Sequence, residues 1–339
     1  MEKVNVGIIG GSGYTGVELL RILSTHPNFD VNYISANSYA GQSIAKTYPA
    51  LASAYKESKF ETFDLEQVNK NDLLFFCMPH GKSQDIINQC KDVKYIVDLS
   101  SDFRHKDKDV YDQYYGATHL YPEMLKDFVY GLPELYRDDI KDAKKVAAAG
   151  CYPTASILAI KPFIDTDFIS KDRIIINAFS GLSGAGKEPT ETNIFCNISD
   201  NTFAYKLSNH RHTPEIETHI DSQVLFTPHL IPTSRGILTT SYGSINKKVK
   251  QNDINEMLAE KYDNEKFVHV LDAPPQIKSV LGTNMVHVYA HLDERTEQII
   301  MMSAIDNLYK GSSGQAVQCA NLMLNIEEDT GLLVSGMYP

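Results

Sequence analysis

Three features of the chain predict an α/β fold, with one domain on a parallel sheet wound by helices and a second, α+β domain on a mixed sheet. Short β-branched runs alternate with segments of helical spacing as far as Leu99. A glycine-rich turn joins the first such run to the first helix. Beyond Cys151 the pattern changes to long strand-like runs separated by loops and only a few helices. The length of 339 residues agrees, since about 150 residues per domain gives two.

Taken in order, Val4–Ile9 reads as a buried strand, Val17–Leu23 as a helix and Val31–Ser35 as a second strand, which together make one β-α-β unit. Leu73–Cys77 and Tyr95–Leu99 are two further strands flanking a helix-like segment from Gln84 to Cys90, so the parallel alternation continues and the first domain is expected over residues 1–150. Arg173–Phe179, Gly236–Tyr242 and Met285–Ala290 are the long strands of the second domain, expected over 151–311. Pro214 and Glu215 mark a helix start within it. Ala304–Leu308 leads into Gly311-Ser312-Ser313-Gly314 and an apolar helical run to Ile326, so a segment of about 312–339 is expected to return to the first domain.

Composition narrows the function. With 42% hydrophobic and 22% charged residues the chain is globular in character, and no apolar run approaches the roughly 18 residues that span a bilayer. Met1-Glu2-Lys3 runs straight into a strand with no features of a signal peptide, which points to the cytoplasm. Five cysteines, at 77, 90, 151, 196 and 319, lack any CxxC pair, so neither a disulfide framework nor a metal site is expected. A formal charge of −11 argues against nucleic acid and anionic membranes as partners.

The chemistry lies in a few clusters. Gly10-Gly11-Ser12-Gly13-Tyr14-Thr15-Gly16 contains GxGxxG between a strand and a helix, the context in which backbone N–H groups cradle a dinucleotide pyrophosphate. Ser35-Ala36-Asn37-Ser38 follows the second strand where an NAD site offers a carboxylate, so Ser35, Asn37 and Ser38 favour NADP(H). Cys151, in Gly150-Cys151-Tyr152-Pro153-Thr154, precedes the apolar run Ala155–Ile160; a helix N-terminus there would favour the thiolate. His210-Arg211-His212-Thr213-Pro214-Glu215 offers an acid/base with a carboxylate to orient it. Arg104, closing Asp98-Leu99-Ser100-Ser101-Asp102-Phe103-Arg104, and Arg235 are candidates for holding anions. Ser180–Lys187, with Ser183, departs from GxxxxGK[ST] and reads as a flexible loop near substrate or cofactor. Each cluster also has a plainer reading: a tight turn, a small buried thiol, an exposed histidine loop, solvated arginines. A nucleotide loop together with a poised cysteine favours thiol-assisted hydride transfer.

With these residues assembled, the chain resembles the N-acetyl-gamma-glutamyl-phosphate reductases of arginine biosynthesis, relatives of aspartate-semialdehyde dehydrogenase. The resemblance spans nearly the whole length and rests on the glycine loop, Asp98–Arg104, Tyr130–Leu135, Gly150–Thr154, Ser180–Gly186, His210–Glu215, Phe226–Leu230 and Asp306–Gln318. It implies Cys151 as nucleophile, His210 as acid/base with Glu215 orienting it, and His212 as substrate contact or alternative base. Arg104, Ser183 and Arg235 would then meet substrate, and Asn307 and Gly314 the cofactor. It also implies NADPH-dependent reduction of an acyl phosphate and a homodimer or homotetramer. The chain departs from the family at Ala148-Ala149, where Asn-Pro is usual, at Asn37, where Arg is frequent, and at Thr283, where Ser is usual. Three alternatives stay open: a reductase acting on aspartyl phosphate or on succinylated or carrier-bound glutamate, a cysteine hydrolase or acyltransferase, and a silent dinucleotide sensor.

Overall fold

The computed structural model describes residues 3–336. Met1 and Glu2, with which the N-terminal reading begins, and 337–339, the end of the segment expected to return to the first domain, lie outside them. In chain order the elements are β1 (Val4–Ile9), α1 (Tyr14–Leu23), β2 (Phe29–Ser35), α2 (Ile44–Thr47), α3 (Leu65–Val68), β3 (Leu73–Phe76), α4 (Gln84–Gln89), β4 (Tyr95–Asp98), α5 (Lys108–Tyr115), β5 (Val129–Gly131), α6 (Pro133–Asp142) and β6 (Lys145–Ala148). There follow α7 (Cys151–Asp165), β7 (Ile174–Gly181), α8 (Phe195–Ile198), β8 (Phe203–Ala204), α9 (Thr213–Ile220), β9 (Val224–Ile231), β10 (Ile237–Ser244), α10 (Gln251–Tyr262), β11 (Val268–Val270), β12 (Val286–Asp293), β13 (Gln298–Ile305) and α11 (Gly314–Met323). Contacts divide the chain into two units. One comprises the chain up to Ala149 with Ser312–Leu332, the other Gly150–Gly311 with the segment from Leu333 on.

The first unit holds a six-stranded sheet of order β2-β1-β3-β4-β6-β5 in which every pairing is parallel. Its strands are buried on both faces, as the continuous apolar runs Leu73–Phe76 and Ile96–Val97 require. Strand order reverses between β1 and β3, the switch point where ligands of such sheets bind beyond the strand C-termini. The glycine loop leaves β1 there. The unpredicted strand β6 is Lys145-Val146-Ala147-Ala148, whose alanines carry little β-propensity; burial between β4 and β5 decides its state.

The second unit holds a seven-stranded mixed sheet of order β11-β12-β13-β10-β7-β9-β8, with only β11–β12 and β7–β9 parallel. α7 packs on one face of it. Pro162 inside α7 has no N–H for the Leu158 carbonyl, and the Tyr262 hydroxyl donates to that carbonyl instead. Ser303 Oγ likewise donates to the Ala155 carbonyl at 2.7 Å. β9 contains Pro228, which ordinarily demotes a strand; here its outer neighbour is only the two-residue β8. The opposite sheet face is partly open. In register across it run Leu225, Ile175, Tyr242, Ile300 and His291, then Thr227, Asn177, Thr240, Met302 and Tyr289. Leu225 is 61% and Ile175 37% exposed.

Ser180–Lys187 is more regular than a flexible loop: Ser180 and Gly181 end β7, and Leu182–Ala185 forms a 3-10 turn. Its N–H groups are tied down, Leu182 to the Thr233 carbonyl at 2.8 Å and Ser183 to the Ser234 carbonyl at 3.1 Å.

Candidate active site

In the first unit the glycine loop is held from several sides. The Ser35 carbonyl accepts the N–H groups of Gly10 and Gly11, both at 2.9 Å, and the Tyr48 hydroxyl donates to the Ser12 carbonyl at 2.6 Å. Gly10 has φ +85°, and a Cβ on it would stand 2.8 Å from the Cys77 carbonyl oxygen. A Cβ on Gly16 would stand 2.6 Å from the Gly11 backbone, so helix and loop touch only because residue 16 is glycine. Around Gly13 there is open space, and no side chain caps α1. The first-turn N–H groups of α1, from Tyr14 on, are thus left for an anion, and the residues fit a dinucleotide pyrophosphate. Ser313 Oγ donates to the Thr15 carbonyl at 2.8 Å, which sets Gly314 and the start of α11 next to this loop. Beyond β2, Asn37 and Ser38 are exposed in a 3-10 turn, and Asn37 Oδ1 accepts the Phe63 N–H at 3.0 Å. The structure adds Glu61, bridged to Ser35 by a parallel pair, which the run 35–38 alone could not reveal. Arg104, half-buried, donates from Nε to the Ala148 carbonyl at 2.8 Å and from Nη2 to the Leu99 carbonyl at 3.3 Å. Ala148 is three positions before Cys151 in the chain, and the Ala149 N–H donates to the Gly131 carbonyl at 3.2 Å. These bonds hold the stretch where the family's usual Asn-Pro is missing.

In the second unit Cys151 is the first residue of α7, with Gly150 as an extended N-cap. Pro153 has no N–H to offer, and the Gly150 N–H is taken by the fully buried Glu215, whose Oε1 accepts it at 2.7 Å. The Thr154 N–H bonds the Gly150 carbonyl at 2.9 Å, and the N–H groups of Cys151 and Tyr152 stand in the first turn beside the thiol. Gly311 approaches so closely that a Cβ on it would stand 2.8 Å from Cys151 Cβ. That contact was not legible from the Gly-Ser run.

His210 is buried, against the plainer reading of an exposed loop. Its Nδ1 accepts the His212 N–H at 3.1 Å, so the neutral ring carries its proton on Nε2. Burial first, then the positive charges of Arg211 and Lys206, push its pKa down to about 3. Tyr152 packs edge-on against His210, His212 and Phe226, with ring centroids 5.6, 5.9 and 5.4 Å away. Its hydroxyl donates to the His229 carbonyl at 3.1 Å and accepts from Tyr205 at 3.3 Å. Tyr205, absent from the sequence reading, also lies edge-on to His210, and burial pushes its pKa up to about 12.

A third group in this unit is tied together by Asp306-Asn307. Asn307 Nδ2 donates to Ser183 Oγ at 3.0 Å while its Oδ1 accepts the Gly236 N–H at 2.7 Å. Asp306 is fully buried; its Oδ1 accepts from Arg235 Nη2 at 3.0 Å and from the Leu308 N–H at 2.9 Å. Ser183, Arg235 and Asn307 thus belong to one hydrogen-bonded cluster, and the side chain of Arg235 is a quarter exposed beside it. Among the described residues, no group of His, Cys, Asp and Glu could hold a metal ion, and no helix is long and apolar enough to cross a membrane.

The sequence pattern of the semialdehyde dehydrogenase NAD binding domain matches residues 5–143, and that of the semialdehyde dehydrogenase dimerisation domain matches residues 151–307. Over 345 residues the chain is 42% identical to N-acetyl-gamma-glutamyl-phosphate reductase of Aquifex aeolicus, covering 100% of this chain and 99% of that one. The chain belongs to the N-acetyl-gamma-glutamyl-phosphate reductase family. A second N-acetyl-gamma-glutamyl-phosphate reductase, from Caldicellulosiruptor saccharolyticus, is 41% identical over 343 residues and 99% of both chains. Solved structures extend the likeness of fold beyond the N-acetyl-gamma-glutamyl-phosphate reductase family. Aspartate semialdehyde dehydrogenase II of Vibrio cholerae, complexed with ASA, superposes with TM-score 0.71 at 17% identity over 96% of this chain and 99% of that one. The Candida albicans enzyme with NADP gives 0.71 at 15% over 95% and 99%.

Proposed function

We propose that the chain catalyses the NADPH-dependent reduction of N-acetyl-gamma-glutamyl phosphate to N-acetylglutamate 5-semialdehyde and phosphate, in arginine biosynthesis. The observation that carries the reading is Cys151 at the first position of α7 in a chain 42% identical to such a reductase along its whole length. The Cys151 thiolate attacks the acyl carbon, phosphate leaves with the bonding pair, and a thioester remains on Sγ. The N–H groups of Cys151 and Tyr152 stabilise the negative oxygen of the tetrahedral intermediate, at roughly 3 kcal/mol for each well-placed donor. The Gly10–Gly16 loop, with Ser35, Asn37, Ser38, Asn307 and Gly314 around it, would hold NADPH, which would supply the hydride that reduces the thioester. His210, neutral with its proton on Nε2, acts as the acid toward the oxygen where charge develops. As the thiohemiacetal collapses, its hydroxyl proton returns to His210, Cys151 leaves as thiolate with the C–S bonding pair, and the aldehyde is released. Glu215 steadies the helix end through Gly150, and His212 is a substrate contact through the same turn. Arg104, Ser183 and Arg235 hold the phosphoryl and carboxylate oxygens, with Asn307 fixing the Ser183 side.

A homodimer or homotetramer assembled through the open face of the mixed sheet suits the match to a dimerisation domain over 151–307. A cytoplasmic setting suits an enzyme that depends on a free thiol. The test follows nicotinamide absorbance with N-acetylglutamate semialdehyde and phosphate, supplying NADP or NAD. Phosphate-dependent NADPH formation that Cys151→Ser abolishes is expected, with the larger kcat/KM for NADP; no formation by folded, NADP-binding protein would sink the substrate assignment.

A further inference from the structure

In the first unit three oxygen-to-oxygen contacts run in line from one buried carboxyl group to another. Asp98 Oδ2 lies 2.7 Å from Ser100 Oγ, which lies 2.9 Å from Ser83 Oγ, which lies 2.8 Å from Asp102 Oδ2. All four side chains are buried, the two carboxylates completely. Each contact of this length needs a proton between its oxygens. The two hydroxyls own two protons for three contacts, so the third must belong to a carboxyl.

Asp102 is the less favourable place for it, because four donors already face its two oxygens. Its Oδ1 accepts the Gly81 N–H at 2.7 Å and the Tyr111 hydroxyl at 3.1 Å, and its Oδ2 accepts the Ser83 N–H at 3.3 Å as well as Ser83 Oγ. Gln84 donates to the Tyr111 oxygen at 2.8 Å, which commits that hydroxyl's proton to Asp102. Asp98 differs. Its Oδ1 accepts the Ser100 N–H at 3.0 Å, and its Oδ2 meets Ser100 Oγ. With a proton on Asp98 Oδ2, every group is satisfied in one direction. Asp98 donates to Ser100 Oγ, Ser100 to Ser83 Oγ and Ser83 to Asp102, while Ser100 Oγ also accepts the Asp102 N–H at 3.3 Å.

We infer that Asp98 is a neutral carboxylic acid in the folded protein, and that its proton closes a hydrogen-bond chain locking the Leu99–Arg104 loop onto Gly81–Ser83. Asp98 is thereby a positioning residue for Arg104, which ends that loop and bonds back to the Leu99 carbonyl. This positioning role rests on Arg104 being the arginine that holds substrate phosphate; the protonation state does not.

The surroundings agree. Burial first, and then the negative charge of Asp102, push Asp98 up to about 7, with the Ser100 contacts and the Arg104 charge acting the other way. At the end of β3, Cys77 feels Asp98, and burial pushes its thiol up. Tyr111 on α5 and His119 beyond it face Asp102, His119 Nε2 lying 3.0 Å from the Asp102 carbonyl, and burial lowers the pKa of that imidazole. The folded state keeps a proton that the unfolded chain releases near pH 3.9, so this group's stabilisation declines as pH rises from about 4 and is gone above about 7.

Asp98→Asn imitates the acid, since its Oδ1 can accept the Ser100 N–H and its amide can donate to Ser100 Oγ. The test compares wild type, Asp98→Asn and Asp102→Asn by melting temperature between about pH 5 and 9, with difference infrared spectra and KM for phosphate in the reverse reaction. Expected are a folded Asp98→Asn without this part of the decline between about pH 5 and 7, and an Asp102→Asn that melts well below wild type at every pH. A protonated-carboxyl band should be present in wild type near pH 6, fade above neutrality and be missing in Asp98→Asn. The wild-type KM should rise more steeply with pH than that of Asp98→Asn. Parallel melting profiles, an Asp98→Asn that folds no better than Asp102→Asn, or no band near pH 6 would overturn the neutral acid. A band with identical KM profiles would overturn the positioning of Arg104 alone.

Discussion

His210 carries no charge at neutral pH because its ring is buried beside Arg211 and Lys206. Its protonation on folding is linked to stability with a definite sign: with a folded pKa of about 3, the unfolded chain takes up a proton below about pH 6.5 that the folded chain refuses. Stability therefore falls on acidification from 6.5 toward 3, and His210→Gln should lose less melting temperature over that range than wild type. Glu215 leads to a second outcome. Its Oε1 accepts the buried Gly150 N–H, so Glu215→Ala should cost about 1–3 kcal/mol in urea unfolding, while Glu215→Gln, which keeps an acceptor, should cost less than half of that. At this scale the residue types were legible and the partners were not. The spacing of His210 and Glu215 suggested that the carboxylate orients the imidazole. In the structure the His212 N–H sets the ring's tautomer, and Glu215 Oε1 also accepts the N–H of Gly150, 65 positions away. No local pattern encodes a contact of that range.

α7 is the element on which the reading turns. Its apolar run is visible in sequence, and its Pro162 would ordinarily argue against a continuous helix; the Tyr262 hydroxyl answers that by occupying the Leu158 carbonyl. The start of α7 is held in place by the close approach of Gly311, for which a Cβ would collide with that of Cys151 at 2.8 Å. Gly311→Ala should therefore cost about 1–3 kcal/mol in stability and lower kcat by at least tenfold, measured by urea unfolding and steady-state kinetics on the same preparation. Strands with β-branched alternation, such as β1 and β7, were readable. β6 and β9 were not, because alanines in one and Pro228 in the other are poor strand formers that only burial and pairing put into a sheet.

For the molecule as a whole, both sheets follow from patterning: doubly buried apolar runs in the parallel sheet, alternating burial in the mixed one. The exposed pair on the second sheet's open face was not readable, since Leu225 and Ile175 are neighbours only across the β7–β9 register. Leu225→Asp with Ile175→Asp should turn the oligomer into monomers in light scattering while far-ultraviolet circular dichroism stays unchanged. Unaltered mass would remove this face from the assembly.

A covalent intermediate on Cys151 is tested by phosphate release in a rapid-quench experiment mixing enzyme with N-acetyl-gamma-glutamyl phosphate in the absence of NADPH. Expected is a burst approaching one phosphate per active site, with an N-acetylglutamyl mass increment on the peptide carrying Cys151. Full turnover once NADPH is added, with neither burst nor adduct in its absence, would contradict it.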